Sequence, residues 1–293
     1  MKKFFLFLVT AVIISSAASG KVLRRQLSIF QNSVPETETL SNETMEFVYD
    51  YRCCVDTTGS LEDNMSNDNM LLQIGTKGLS KFSSYKNLTV DSIIMRSSQE
   101  QIANAAMEGK LSTGEFMTIY KNYPEGKLTH TEKICQDWFR YEEDMPQFEW
   151  EMTDSVANVL GYKCQSARCK FRGREWTVFY TEEIPLSEGP WKLHGLPGLI
   201  MKATDEKGHY SFECIGIKSK ASRPITIYKV PFNKVKREDY YDTKHRYEVN
   251  PYAYFEATTG GHITVTDEAG NPTLDAYDPI ELPFEYIERD WKK

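Results

Sequence analysis

The sequence predicts an α+β protein built on one large antiparallel sheet, with two or three helices. Three observations carry that reading. Segments with a two-residue apolar period, about ten in all, recur from Met45 almost to the C-terminus. Short clusters of Gly, Asn, Asp and Ser separate them, as hairpin links do. Helical patterning is confined to a stretch near residues 89–107 and another near 233–248. No internal repeat is visible in the 293 residues.

Met1–Gly20 has the anatomy of a secretory signal peptide. Lys2 and Lys3 precede an apolar run from Phe4 to Ile14, and the small residues Ala18, Ser19 and Gly20 follow. The run is too short to span a bilayer. No Cys stands at the cleavage point to carry a lipid; the first in the chain is Cys53. Residues 21–44 are polar and read as a loose N-terminal arm with at most a short strand. Residues 45–293 read as a single domain, since no Pro/Gly/Ser-rich linker divides them.

Met45–Cys53 alternates Met45, Phe47, Tyr49, Tyr51 and Cys53 with Glu46, Val48, Asp50 and Arg52, a strong strand signal. Met70–Ile74 and Lys81–Tyr85 form a predicted hairpin around Gly75–Gly78. Thr89 or Asp91 is the expected cap of a helix reaching Met107, with Gly109 beyond it. A meander follows: Glu115–Tyr123, Lys127–Cys135, Trp138–Glu143, Phe148–Met152, Tyr162–Phe171 and Glu175–Thr181, with Arg172-Gly173-Arg174 as a turn.

Gly195-Leu196-Pro197-Gly198-Leu199-Ile200 is the most organised stretch. Pro197 suits the first central position of a tight turn, and Gly198 stands where a type II turn requires positive φ. Leu199, Met201 and Ala203 then share one face of a strand, Asp205–Gly208 closes a hairpin, and His209–Ile217 returns. The chemistry-free reading, a buried corner, is favoured for this hexapeptide. Pro224–Val230 adds a strand. Asn233–Glu248 reads as a helix capped by Asn233 and stopped by Pro251, and Gly260–Asp267 and Glu281–Ile287 as two more strands.

The formal charge is −7, and −9 once Lys2 and Lys3 leave with the leader. With no basic stripe, no affinity for nucleic acid is expected. No later segment is apolar enough to cross a membrane, so the mature chain is expected to be soluble. Six cysteines, an even number in an oxidising compartment, make disulfides plausible. Fifteen pairings exist and the sequence does not choose among them. Cys164 with Cys214 is the favoured guess, because both lie on strands flanking the hexapeptide. Cys164 and Cys169, five residues apart on one strand, are too distant to bridge.

Catalytic motifs are missing: there is no hydrolase elbow, zincin pair, haem-attachment motif or phosphate loop. His130, His194, His209, His245 and His262 are scattered, so no metal or other cofactor is expected. The vicinal Cys53-Cys54 pair would need a third ligand from elsewhere to hold a soft metal. Arg172, Arg174, Trp176 and Trp191 either line a concave binding face or belong to the core, with core favoured. Glu182, Glu183 and Glu188 read as a solvated loop.

These blocks together resemble the GLPGLI family of exported bacteroidete envelope proteins. Gly161-Tyr162-Lys163-Cys164 opens the likeness. Gly173-Arg174, Tyr180-Thr181 with Ile184-Pro185, and Gly189-Pro190 continue it up to Gly195–Ile200. Tyr277–Pro283 is similar to the family's closing block, with Asp278 where Asn is usual. The resemblance implies no assigned reaction, export to the periplasm or outer cell envelope, and association with TonB-dependent outer-membrane receptors. At fold level, a meander with a helix across its open face is similar to the curved half-barrels that carry lipoproteins. That likeness implies a large curved, open half-barrel-like sheet able to hold an apolar ligand. The leading expectation is therefore a non-enzymatic accessory or binding protein, serving an outer-membrane receptor or carrying an apolar ligand. The alternative is a metal- or thiol-handling periplasmic protein.

Overall fold

The computed structural model describes residues 34–42, 45–54, 56–57, 60–220, 223–261, 279 and 285–292. The leader, most of the arm, and most of the closing block at 277–283 lie outside the described residues, as does the strand expected at 260–267 beyond Gly261. Residues 285–287, the described end of the last expected strand, are not in a strand.

Fourteen strands and four α-helices occupy the described residues. Twelve strands form one sheet. Its order is β14 (Phe232–Lys234), β7 (Asp137–Asp144), β6 (Lys127–Ile134), β5 (Thr118–Lys121), β4 (Ser80–Ser84), β3 (Met65–Ile74) and β2 (Met45–Cys54). It continues through β12 (Tyr210–Lys218), β11 (Leu199–Asp205), β10 (Arg174–Thr181), β9 (Tyr162–Phe171) and β8 (Glu151–Val159). All neighbours are antiparallel except β14 and β7, which are parallel. The terminal strands β14 and β8 do not pair, so the sheet is open. The fold is thus α+β with a large, unclosed, mostly antiparallel sheet.

That sheet is strongly curled. Laid flat, β7 and the β9–β10 turn would stand about 40 Å apart at one strand spacing per neighbour. Yet Arg172 of that turn bonds Glu143 of β7. One apolar core takes Leu128 from β6 and Val159 from β8.

Hairpin chemistry sets the register on the β8 side. Leu160-Gly161 and Arg172-Gly173 both hold paired positive φ angles (51° and 86°; 55° and 75°), the two-residue turn whose twist matches that of the strands. On the β4 side, all five residues of β4 are buried, which hides any alternation. The cause is a ribbon of β1 (Thr37–Asn42) and β13 (Pro224–Tyr228). It covers the outer face, with the Lys81 Nζ and Tyr120 hydroxyl donating to Thr226 O at 2.9 and 3.0 Å.

The helices depart from expectation at their ends. Ser84 caps α1 (Tyr85–Arg96) by accepting from Asn87 N at 3.2 Å, so the helix starts before Thr89 and Asp91. A second helix, α2 (Gln99–Met107), begins at a capping box: Gln101 N donates to Ser98 Oγ, and Ser98 N to Gln101 Oε1 at 2.8 Å. Asn233 lies in β14, and α3 spans Arg237–Val249. Pro251 opens α4 (Pro251–Thr259) instead of merely ending α3, because its missing N–H costs nothing in a first turn.

Candidate functional site

The hexapeptide belongs to a connection, residues 182–198, that crosses from β10 to β11 and fills the concave side of the sheet. Trp191, Leu193, Leu199 and Ile200 are fully buried, and Trp191 packs on Trp176 with ring centres 5.5 Å apart. The connection also closes on itself: Leu199 N donates to Ile184 O at 3.0 Å and Ile200 N to Glu188 O at 2.9 Å. Tyr49 of β2 donates its hydroxyl to Ile200 O at 2.8 Å.

Glycine plays different parts here than the sequence predicts. Positive φ falls on Gly195, at 97°, and not on Gly198. Gly198 is required for another reason: a Cβ there would lie 2.0 Å from Thr181 O. At Gly189 a Cβ would meet the Ile200 side chain at 2.9 Å. Pro190 is buried beside it. Leu196 is 3% exposed, and Pro197 remains at the surface.

Two buried lysines pin this plug. Lys121 of β5 donates to Gly189 O at 2.8 Å and Leu193 O at 3.3 Å, and pairs with Glu188 at 2.5 Å. Lys192 is fully buried against Glu143, Glu288 at 2.7 Å and the Tyr141 hydroxyl at 3.1 Å. Glu288 belongs to a C-terminal strap, residues 285–292, that also pairs with Arg237 at 2.8 Å. Burial raises the Glu288 pKa, but Lys192 and Arg172 outweigh it and hold the carboxyl at about 2.

Arg174 is the second anchor of the strap. It donates to Asp205 at 2.6 Å, Glu285 at 2.7 Å and Ile287 O at 2.8 Å, and lies over the Tyr210 ring at 4.5 Å. Gly173 lets the strap approach, since a Cβ there would sit 2.9 Å from Arg289 Cβ. Arg174, Trp176 and Trp191 are therefore interior, as the core reading expects.

A small polar cavity of about 30 Å³ lies between β6, α3 and the strap. His130 stacks on Tyr141, with ring centres 4.7 Å apart. Its Nε2 faces Glu132 at 3.3 Å, and Glu132 also accepts from Tyr240 and, at 2.7 Å, from Lys244. Burial pushes the His130 pKa down. Burial pushes Glu132 up, but Lys244 and His130 outweigh it and hold the carboxylate well below its ordinary range.

No disulfide joins the six cysteines, all of them among the described residues. The Cys164–Cys214 pairing is thus corrected. Their strands are not neighbours, since β10 and β11 stand between β9 and β12. Burial pushes the thiols of Cys169 and Cys214 up to about 12 and about 11. Cys53 and Cys54 are both buried; their sulfurs donate to Glu115 Oε1 at 3.8 Å and Asp56 O at 3.1 Å. Among the described residues, no three His, Cys, Asp or Glu side chains are grouped to hold a metal. His194 is held near pKa 4 by burial, and His209 bonds Glu285 at 3.1 Å. His262 lies outside the described residues.

The accessible feature is at the sheet edge. β8 is terminal, and its register against β9 slips between Met152 and Val156: four steps along β8 match two along β9. Thr153–Ser155 fall out of register and, with Val156, border a groove of about 540 Å³ over Lys163, Gln165, Tyr180 and Thr181–Glu183. Met152, Val156 and Leu160 are 47, 58 and 48% exposed. Tyr180 and Thr181 line this groove, Cys164 is buried beneath Gly161-Tyr162, and Gly161 turns the hairpin. The remaining motif residues, from Gly189 to Ile200 and Gly173-Arg174, serve the plug and the strap. Sequence reading missed Lys121, Lys192 and the slip. A lysine within Thr118-Ile119-Tyr120-Lys121 and the polar Thr153-Asp154-Ser155 inside a strand were the available signals.

A family model described as a protein of unknown function (Porph_ging) matches residues 170–202, from the end of β9 through the plug to β11. No curated protein matches. Solved structures of PNGF-II in space groups P21 and C2 align at 14% identity with a TM-score of 0.44, over 68% of this chain and 32% of theirs. The chain thus spans about a third of the length of those structures. No helix among the described residues is long and apolar enough to cross a membrane.

Proposed function

We propose that this chain is a non-enzymatic binding protein of the bacterial cell envelope, exported through its leader, that engages a partner protein at the β8 groove. The observation that carries this reading is the contrast in occupancy. The concave face, where a half-barrel would hold an acyl chain, is filled by the plug and its buried Trp191, Leu193 and Leu196. The groove beside β8 lies open with exposed Val156 in its lining, and Met152 and Leu160 are exposed on the same hairpin. Apolar cargo in the concavity therefore has less support than a protein partner. A thiol- or metal-handling role also has less support, since burial keeps the Cys54, Cys169 and Cys214 thiols protonated at neutral pH. Export, and service to a TonB-dependent receptor, rest on the signal-peptide pattern and the GLPGLI resemblance.

A photoreactive residue at Val156, introduced into the chain in its native cell, tests the reading. The expected result is one defined cross-linked envelope protein, absent when the photoreactive residue replaces exposed Met95 instead. Native mass spectrometry should then give the bare mature chain. A bound lipid in that spectrum, with no cross-link from position 156, would overturn the proposal.

A further inference from the structure

We infer that the β8 edge takes up an extended, basic segment of its partner as an added antiparallel or parallel strand. This deepens the binding reading above and rests on it. The backbone geometry of the edge comes first. Leu160-Gly161 is a two-residue turn, so its flanking pair Val159 and Tyr162 is hydrogen-bonded. Bonding alternates along an antiparallel ladder, so Ala157 and Cys164 also bond, whereas Val156 and Asn158 do not bond to Gln165 and Lys163. The N–H and C=O groups of Val156 and Asn158 therefore point away from β9. β8 is the last strand in the sheet order, and among the described residues no other strand pairs with that side.

The side chains choose the partner. β8 itself carries two exposed carboxylates, Glu151 and Asp154, and no Lys or Arg. Val156 and Leu160, more than 45% exposed, give apolar contacts alongside. An incoming strand that alternates apolar residues with Lys or Arg meets both demands: its backbone pairs with Val156 and Asn158, and its cations face the carboxylates. The register slip at Thr153–Ser155 limits pairing to the segment after it, so the site accepts a short strand and does not propagate into a fibre.

The test uses the full mature chain and two labelled eight-residue peptides, one alternating Lys and Val, the other Glu and Val. Fluorescence anisotropy should show the Lys-Val peptide binding, more weakly as salt rises, and the Glu-Val peptide not binding. Val156→Pro removes an outward N–H without touching the β8–β9 ladder, and should weaken binding about tenfold, a loss of one strand hydrogen bond. Glu151→Lys with Asp154→Lys should weaken it at least as much, and decides the matter if the proline variant fails to fold. Equal binding of the two peptides, or unchanged binding by a folded variant, overturns the inference. A defined cross-link from position 156 together with no Lys-Val binding would remove strand addition while leaving the binding reading intact. Failure of both would remove both.

Discussion

The plug and the β8 edge lie on either side of β9 and β10 and are built by opposite rules. The plug, residues 182–198, buries Lys192 and Trp191 and closes its ion pairs inside the fold, Lys192 with Glu288 and Glu188 with Lys121. The edge leaves apolar and acidic side chains in solvent and its backbone partly unpaired. The lesson is that the most recognisable stretch of a sequence can be spent on architecture. Lys121, Lys192, Arg172 and Arg174 hold an open sheet curled, a job that a closed barrel would give to its own hydrogen bonds.

The largest break in this contrast should come from Lys192. Lys192→Ala leaves Glu288 fully buried with one cation fewer, and should cost about 3–5 kcal/mol in urea unfolding. Asp154→Ala at the edge should change stability by less than about 0.5 kcal/mol. Gly198→Ala comes next, at roughly 3 kcal/mol, because its Cβ has no room against Thr181 O. Gly161→Ala, also a motif glycine but with open space around its Cβ, should cost about 1 kcal/mol for its φ of 86°.

Acid sharpens the same comparison. Glu285 and Glu288 have folded-state pKa values held at about 2, below the ordinary value of 4.5. Groups depressed in this way stabilise the fold above pH 4.5, and that contribution is lost as pH falls from 4.5 through 2. The melting temperature should fall steeply across this window, and less steeply in Glu288→Gln, which starts lower. The smallest effect concerns the thiols. Cys164→Ser with Cys214→Ser removes no disulfide, so non-reducing mass spectrometry of the parent should show all six cysteines unlinked.

Much of the fold was legible because turns and period-two strands are local. Met45–Cys53, Tyr162–Phe171 and the Asp205–Gly208 hairpin appear almost as read. Where the reading slipped, a non-local partner intervened. The Cys164–Cys214 guess ignored two intervening strands, whereas the hairpin of Met70–Ile74 with Lys81–Tyr85 appears in β3 and β4 even though the β1–β13 ribbon buries all of β4. The split between α1 and α2 was within reach, since Ser98 and Gln101 spell a capping box. Gly198 was marked as important for the wrong physical reason: close approach, not positive φ. The buried roles of Lys121 and Lys192 could not be read locally, because their carboxylates come from Glu188, Glu143 and the distant Glu288.

Residue-resolved native-state hydrogen exchange tests the central claim most directly. The amides of Leu199 and Ile200, bonded to Ile184 O and Glu188 O, should exchange only by global unfolding. Those of Val156 and Asn158 should exchange fast and slow down when the Lys-Val peptide is added. Fast exchange at Leu199 and Ile200 beside protected amides at Val156 and Asn158 would contradict the account, making the plug the mobile, available region and the edge the closed one.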